Sequence, residues 1–315
     1  MMQLTRLSEP AIEPISIEQL SGWSQAAISS TTNDLDSDAQ VLLLEMLRDS
    51  RDRVERFLGR ALIRRSFKAT FDAEDLQDAE GVEVFRLFLP IGPLVTLDTA
   101  TFTDEDDVES SILADLKAIP GNPGYIILKT DEEWPSYPRE RACLALTFTA
   151  GDVTGLAPIA VTCTTTAAAT VTGSDFNVTT SYGCTYFFAA THNPMTFTIY
   201  GDVLASFTGE TSISATTLEE GKATTVTIAA PTKVYYRVKC NAAGVTQTAT
   251  GTVSGYNGVI APNIKTAIKE LTTYFYNHRG SGLFAGAGGF KGEVPDTVPK
   301  ILNRIVGFCT RRRIL

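Results

Sequence analysis

The stretch 259–280, VIAPNIKTAIKELTTYFYNHRG, decides how the rest of the chain is read. Pro262 suits a first helical turn, where its missing N–H would be unpaired anyway. Ile264, Ala267, Ile268, Leu271 and Phe275 recur at three- and four-residue steps. That spacing puts them on one helical face and commits the face to a core. Lys265, Lys269, Glu270 and Thr273 fall elsewhere and are expected on the solvated side. Tyr274, Tyr276, Asn277, His278 and Arg279 make a polar-aromatic end, and Gly280 is a natural stop. The residues just before this helix differ sharply in composition, so its packing partner is expected far upstream.

The upstream candidate is a helix predicted over 38–58, opened by the capping box Ser37-Asp38-Ala39-Gln40 and closed by Gly59. Leu43, Met46, Leu47, Val54, Phe57 and Leu58 are expected to line its buried side. The run Arg48, Asp49, Arg51, Asp52, Arg53, Glu55, Arg56 is dense but balanced. It reads equally as a salt-bridged solvated face and as a self-pairing subunit interface. Ahead of it, residues 1–35 read as an arm and a short helix, with the capping box Ser16-Ile17-Glu18-Gln19 and the anchors Leu20 and Trp23.

After the helix, alternating or apolar runs predict strands over 66–71, 82–89, 94–102, 125–128 and 142–149, and a strand or turn over 113–119. Pro90-Ile91-Gly92-Pro93 is a rigid corner, and 120–124 is dense in turn residues. From about residue 158 to 255 Thr, Ala, Val and Gly dominate and charge is sparse. Short runs at 161–165, 176–180, 185–189, 196–200, 203–207, 224–228, 234–239 and 246–253 suggest a β-sandwich of immunoglobulin-like size. The expected fold is α+β: a helical core with strands and hairpins, plus an inserted all-β, immunoglobulin-like sandwich. The host is residues 1–157 and 256–315, and the guest is 158–255. Insertions are tolerated where two ends of an exposed loop lie close together.

Composition narrows the function. The chain has 315 residues, enough for two ordinary domains, and a formal net charge of -9. Its pI of about 4.9 makes it a poor candidate for gripping nucleic acid by the phosphates, although it can surround nucleic acid without holding it. No apolar run approaches the ~20 residues of a membrane span, and the first residues lack a secretory pattern. Cys143, Cys163, Cys184, Cys240 and Cys309 are scattered, an odd set that fits reduced thiols better than a disulfide scaffold. A Cys163–Cys240 bridge across the β-domain stays open as the alternative.

Catalytic patterns are missing. The two histidines, His192 and His278, lie far apart, and His278 reads as a dipole-compensating surface residue. There is no HExxH, no paired zinc motif and no GxSxG. The loop GSGLFAGAGGFKG lacks a Gly-Lys-Ser/Thr ending and follows a helix, so it reads as an interaction loop rather than a phosphate cradle. Asp104, Glu105, Asp106 and Asp107 read first as a solvated turn, with a hard cation as the sharper alternative. No catalytic residue, cofactor or metal is expected, and a structural protein is favoured over an enzyme.

With the guest set aside, VERFLGRAL, LFLPIGPLVTLDTATFTDED, GYIILKTDEEWP, LALTFTAGD, IAPNIKTAIKELTTYFYNHRG and VPDTVPKILNRIVGF follow one another. This order resembles the head–tail connector (adaptor, head-completion) proteins of tailed DNA phages. The resemblance covers most of residues 38–157 and 256–308 and departs from the family in the guest. It implies a virion neck protein, assembled in the host cytoplasm as a homo-oligomeric ring of about twelve copies. Such a ring sits beneath the portal protein, receives tail or neck proteins and gives double-stranded DNA a passage. The two helices would form the ring, with Arg48, Arg51, Arg53, Glu55, Arg56, Lys265, Lys269 and Glu270 as candidates. The C-terminal segment would dock on the portal through Val298, Ile301, Leu302, Ile305, Phe308, Arg311, Arg312 and Arg313. Leu283, Phe284, Phe290 and Lys291 of the glycine-rich loop would meet the next ring.

A channel that passes DNA should not bind it, so Asp104, Glu105, Asp106 and Asp107 are candidates for an acidic lumen. The guest reads as an outward decoration, with glycan binding as the alternative. Its aromatic exceptions are Tyr186, Phe187, Phe188, Tyr235 and Tyr236. The rival for the whole chain is a surface adhesin with a helical base, and a metal-dependent enzyme comes third.

Overall fold

A computed structural model describes residues 2–17, 19–20, 37–76, 86–130, 132–163, 169–170, 178–179, 183–203, 206, 208–209, 211–228, 232–233, 235–243, 248–277 and 301–302. In chain order the elements are β1 (Gln3–Arg6), α1 (Ser37–Leu58), β2 (Arg65–Phe71), β3 (Leu87–Phe88), β4 (Leu94–Thr103), β5 (Glu109–Ser111), β6 (Leu116–Ile119), β7 (Tyr125–Leu128) and β8 (Leu144–Ala150). They continue as β9 (Thr154–Cys163), β10 (Ala169–Thr170), β11 (Val178–Thr179), β12 (Cys184–His192), β13 (Met195–Asp202), β14 (Thr211–Leu218), β15 (Ala223–Ile228), β16 (Tyr235–Ala242), β17 (Ala249–Asn257) and α2 (Pro262–Asn277). The described chain is therefore mainly β. The strands outnumber and outweigh the helices even within residues 1–157, which corrects the expectation of a helical core.

Two compact units divide the chain. The first, Met1–Pro10 with Glu55–Asp152, holds a five-stranded antiparallel sheet in the order β1-β2-β8-β4-β5 and a three-stranded sheet β3-β7-β6. Strict alternation explains the central strands. Phe67, Ala69 and Phe71 on β2 and Leu144, Leu146, Phe148 and Ala150 on β8 all point to one buried face. Phe67 stacks on Phe148, directly opposite in register, with ring centroids 5.8 Å apart. The arm at the N-terminus supplies β1, an edge strand with exposed residues and so little apolar signal in the sequence.

The second unit, Ala11–Val54 with Val153–Leu315, holds most of α1, all of α2 and a sandwich of two antiparallel sheets. One sheet runs β10-β16-β13-β14, with β11 also on β16; the other runs β15-β12-β17-β9. Phe188 of β12 stacks on Phe197 of β13 at 4.9 Å, which joins the two inner faces. Met195, Ile199, Val238, Val253 and the Tyr186 and Tyr236 rings fill the rest. Of the expected strand over 203–207, only Val203 and Ser206 are described and neither lies in a strand: β13 stops at Asp202 and Val203 is exposed at a bend. The buried Asp202 carboxylate accepts from the N–H groups of Val203 (2.6 Å) and Gly209 (2.8 Å), turning the chain. The strand that follows is β14, whose outward polar residues gave no period-two apolar signal.

The ends of the sandwich meet. Thr154 of β9 lies opposite Asn257 of β17, and a Cβ on Gly258 would come 2.6 Å from a Val153 methyl. The first and last strands of the sandwich therefore begin and end side by side.

Candidate functional site

The helix pair and its surroundings in the second unit carry most of the residues singled out from sequence. Ser16 caps the short helical turn as expected, its hydroxyl accepting from Gln19 N–H at 3.3 Å. Leu43, Met46, Leu47 and Val54 of α1 are buried, but Phe57 is exposed and Leu58 only half-buried. Gly59 ends the helix at φ 61°, a conformation that favours glycine. On α2, Ile264, Ala267, Ile268, Leu271 and Phe275 are all buried. Tyr276 is buried too, so the expected polar end is partly core; His278, Arg279 and Gly280 lie outside the described residues. The Arg53 guanidinium lies 5.1 Å over the Phe275 ring, a contact between the two helices.

The charged run of α1 divides into two sets. Arg48, Asp49 and Arg56 are exposed, whereas Arg51 is 0% exposed and Glu55 1%. Arg51 donates to Glu13 at 2.5 Å and to Asp52 at 3.0 Å, while Arg48 stands 3.8 Å from the same Glu13 oxygen. Burial raises the Glu13 pKa above its ordinary value, against the pull of Arg51. In the first unit Glu55 pairs with the buried Arg65 and also accepts from Leu62 N–H at 2.8 Å. These two side chains are therefore buried and paired within the chain and are not on a solvated face. The period did mark them: Arg51 and Glu55 follow Leu47 at steps of four, on the buried stripe.

Lys265, Lys269 and Glu270 are half-buried on α2. Burial lowers the pKa of both lysines, with Lys269 adding to the effect on Lys265. Lys265 lies over the ring of Tyr256, the buried residue near the end of β17, at 5.2 Å. The Tyr256 hydroxyl donates to the Pro14 carbonyl at 3.4 Å and its ring meets Phe187 edge-on at 5.8 Å. Burial pushes the phenol up to about 12. Tyr256 thus ties arm, sandwich and α2 together, a role that a tyrosine just past the expected guest did not announce.

The acidic turn links β4 to β5. Asp104 accepts from its own loop, from Asp106 N–H at 3.0 Å and Val108 N–H at 2.9 Å, and Arg139 donates to Asp107 at 3.0 Å. Glu105, Asp106 and Asp107 are exposed. Among the described residues no group of three or more His, Cys, Asp or Glu is placed to hold a metal ion. No described helix is long and apolar enough to cross a membrane. Of the candidate docking segment, Ile301 is buried and Leu302 half-buried. Val298, Ile305, Phe308, Arg311, Arg312 and Arg313 lie outside the described residues, as do Leu283, Phe284, Phe290 and Lys291. The guest aromatics Tyr186, Phe187, Phe188 and Tyr236 are buried, leaving only Tyr235 of that set half-exposed.

No family model matches this chain, and no curated protein matches it either. Solved chains similar to part of this one include three from one kind of particle. A chain from the neck of an empty gene transfer agent (GTA) particle, computed with C6 symmetry, is 22% identical, with 47% of this chain and 71% of that chain covered at a TM-score of 0.38. A chain from the virion of the native GTA particle is 21% identical over 47% and 71%, with a TM-score of 0.35. A chain from the neck of the native particle, computed with C12 symmetry, is 22% identical over 47% and 69%, with a TM-score of 0.34.

Proposed function

We propose that this chain is a structural virion protein of the head–tail connector type. In this reading it forms a homo-oligomeric ring of about twelve copies between the portal and the tail or neck proteins. The observation that carries it is the Arg53 guanidinium over the Phe275 ring, a contact between α1 and α2 made although the whole sandwich separates them in sequence. The connector-like order of segments requires these two helices to be neighbours once the guest is set aside. The paired ends of the sandwich, Thr154 opposite Asn257, fit a domain inserted into that order, so the division into 1–157, 158–255 and 256–315 forms part of the proposal.

Ring contacts are assigned to the charged residues of α1 that the chain leaves outward, Arg48 and Arg56, with Arg53, Lys265, Lys269 and Glu270 beside them. Arg51 and Glu55 support the helix from within. The exposed Glu105, Asp106 and Asp107 are assigned to the lumen, where like charge keeps DNA from sticking. The C-terminal segment from Val298, with Arg311, Arg312 and Arg313, is assigned to the portal, and the loop 280–292 to the next ring. No step of this function calls for catalysis. The sandwich stands as a decoration or protein-contact module.

Electron microscopy of the purified chain, alone and with portal-bearing capsids, tests the proposal. The expected result is a ring of about twelve copies, free or on the portal vertex. A chain that stays monomeric in both conditions, or a ring with a basic lumen, overturns it.

A further inference from the structure

Two cysteines, one from each sheet of the sandwich, face each other. Cys163 ends β9 in one sheet, opposite Ala249 of β17. Cys240 lies on β16 in the other, opposite Phe197 of β13. Both side chains are buried among the residues that fill the sandwich, and their sulfur atoms lie 2.8 Å apart, 77 residues distant in sequence. That is well inside van der Waals contact. A sub-ångström approach brings the pair to the ~2.05 Å of a covalent S–S bond. Of the other described cysteines, Cys143 donates to the Phe71 carbonyl at 3.4 Å, and Cys184 is buried on β12.

We propose that Cys163 and Cys240 form an intrachain disulfide that staples the two sheets of the sandwich when the chain equilibrates with an oxidising thiol–disulfide buffer. The oxidant is a small-molecule disulfide. The thiolate of one cysteine attacks a sulfur of that disulfide, forms a mixed disulfide and releases one small thiol. The other cysteine then attacks the protein sulfur, closes the S–S bond and releases the second thiol. The two cysteines lose two electrons and two protons, and the small disulfide becomes two thiols. Burial disfavours both the exposure of these sulfurs and the thiolate of Cys240, so exchange proceeds while the sandwich is open, during folding or transient unfolding. Once closed, the bond spans a long loop, the case in which a crosslink restricts the unfolded chain most.

The test refolds the full chain from denaturant in oxidised glutathione and, in parallel, in a strong reductant. Alkylation and peptide mass mapping then locate the thiols. The expected product is one Cys163–Cys240 crosslink, with a melting temperature raised by on the order of 10 °C and returned by reductant. Cys163→Ser should show the same melting temperature in both buffers. Full alkylation of Cys163 and Cys240 after oxidation, a glutathione adduct without closure, a bond to Cys143, Cys184 or Cys309 instead, or an undiminished shift in Cys163→Ser overturns the proposal.

Discussion

Arg51 shows how residue type and residue position compete. Charge assigns it to a surface, and the helical period assigns it to the inside. The period wins because Glu13 and Asp52 neutralise the guanidinium where it is buried. Removing Arg51 leaves the buried Glu13 carboxylate with Arg48, 3.8 Å away and largely exposed, in its place. Arg51→Ala is therefore expected to cost about 3 kcal/mol in chemical denaturation, toward the low end for a broken buried pair because Glu13 can take up a proton. The pH dependence has a definite sign. Burial holds the folded Glu13 pKa above its ordinary 4.5, so the folded state binds more protons there than the unfolded one. The stability contribution of Glu13 is thus greatest at low pH and falls as pH rises through that window. Without Arg51 the shift grows, so the deficit of Arg51→Ala should be larger at about pH 7 than at about pH 5. An equal deficit at both would mean that the carboxylate is relieved by another partner.

The strands divide by how much of their surface the core demands. Those with one buried face, such as β2, β4 and β8, carry the alternation in their sequence and match the predicted runs within a residue or so. The edge strands β1 and β14 bury little, so nothing in residue type separates them from loops. Backbone approach is equally hidden from a pattern of apolar residues. On β17 a Cβ at Gly255 would lie 2.2 Å from the Thr185 carbonyl oxygen of the neighbouring strand β12, closer than any repacking of side chains relieves. Gly255→Ala should destabilise the sandwich by about 2–3 kcal/mol. Gly209→Ala, whose Cβ would meet only the Asp202 carboxylate at 3.7 Å, is the control and should change stability by less than about 1 kcal/mol. Comparable losses in both variants would mean that loop entropy rather than strand approach decides the effect.

For the whole molecule the question is whether the sandwich is separable. Val153 and Gly258 are neighbours, so joining them removes residues 154–257 without stretching the chain. The spliced protein is expected to fold and to keep the helical far-ultraviolet signal of α1 and α2. It should melt below the intact chain, because Tyr256 and its contacts to Pro14 and Lys265 go with the sandwich. A product without helical signal would show that the helices need the sandwich as a core partner.

The sequence by itself determined both helices, their buried stripes, most of the strands with a buried face and the existence of a β-rich segment between the helices. Each of these is written in local periodicity, which depends only on which side of an element leaves water. Tertiary structure alone decided the rest. It supplied the partners of the buried Arg51 and Glu55, made Tyr256 the tie between arm, sandwich and α2, and set Cys163 against Cys240 across two sheets. Those outcomes depend on contacts between residues far apart in sequence, which no local period encodes. The stretch 259–280 contains both cases: its apolar stripe was legible, and the Arg53 that covers Phe275 was known only once the chain had returned to it.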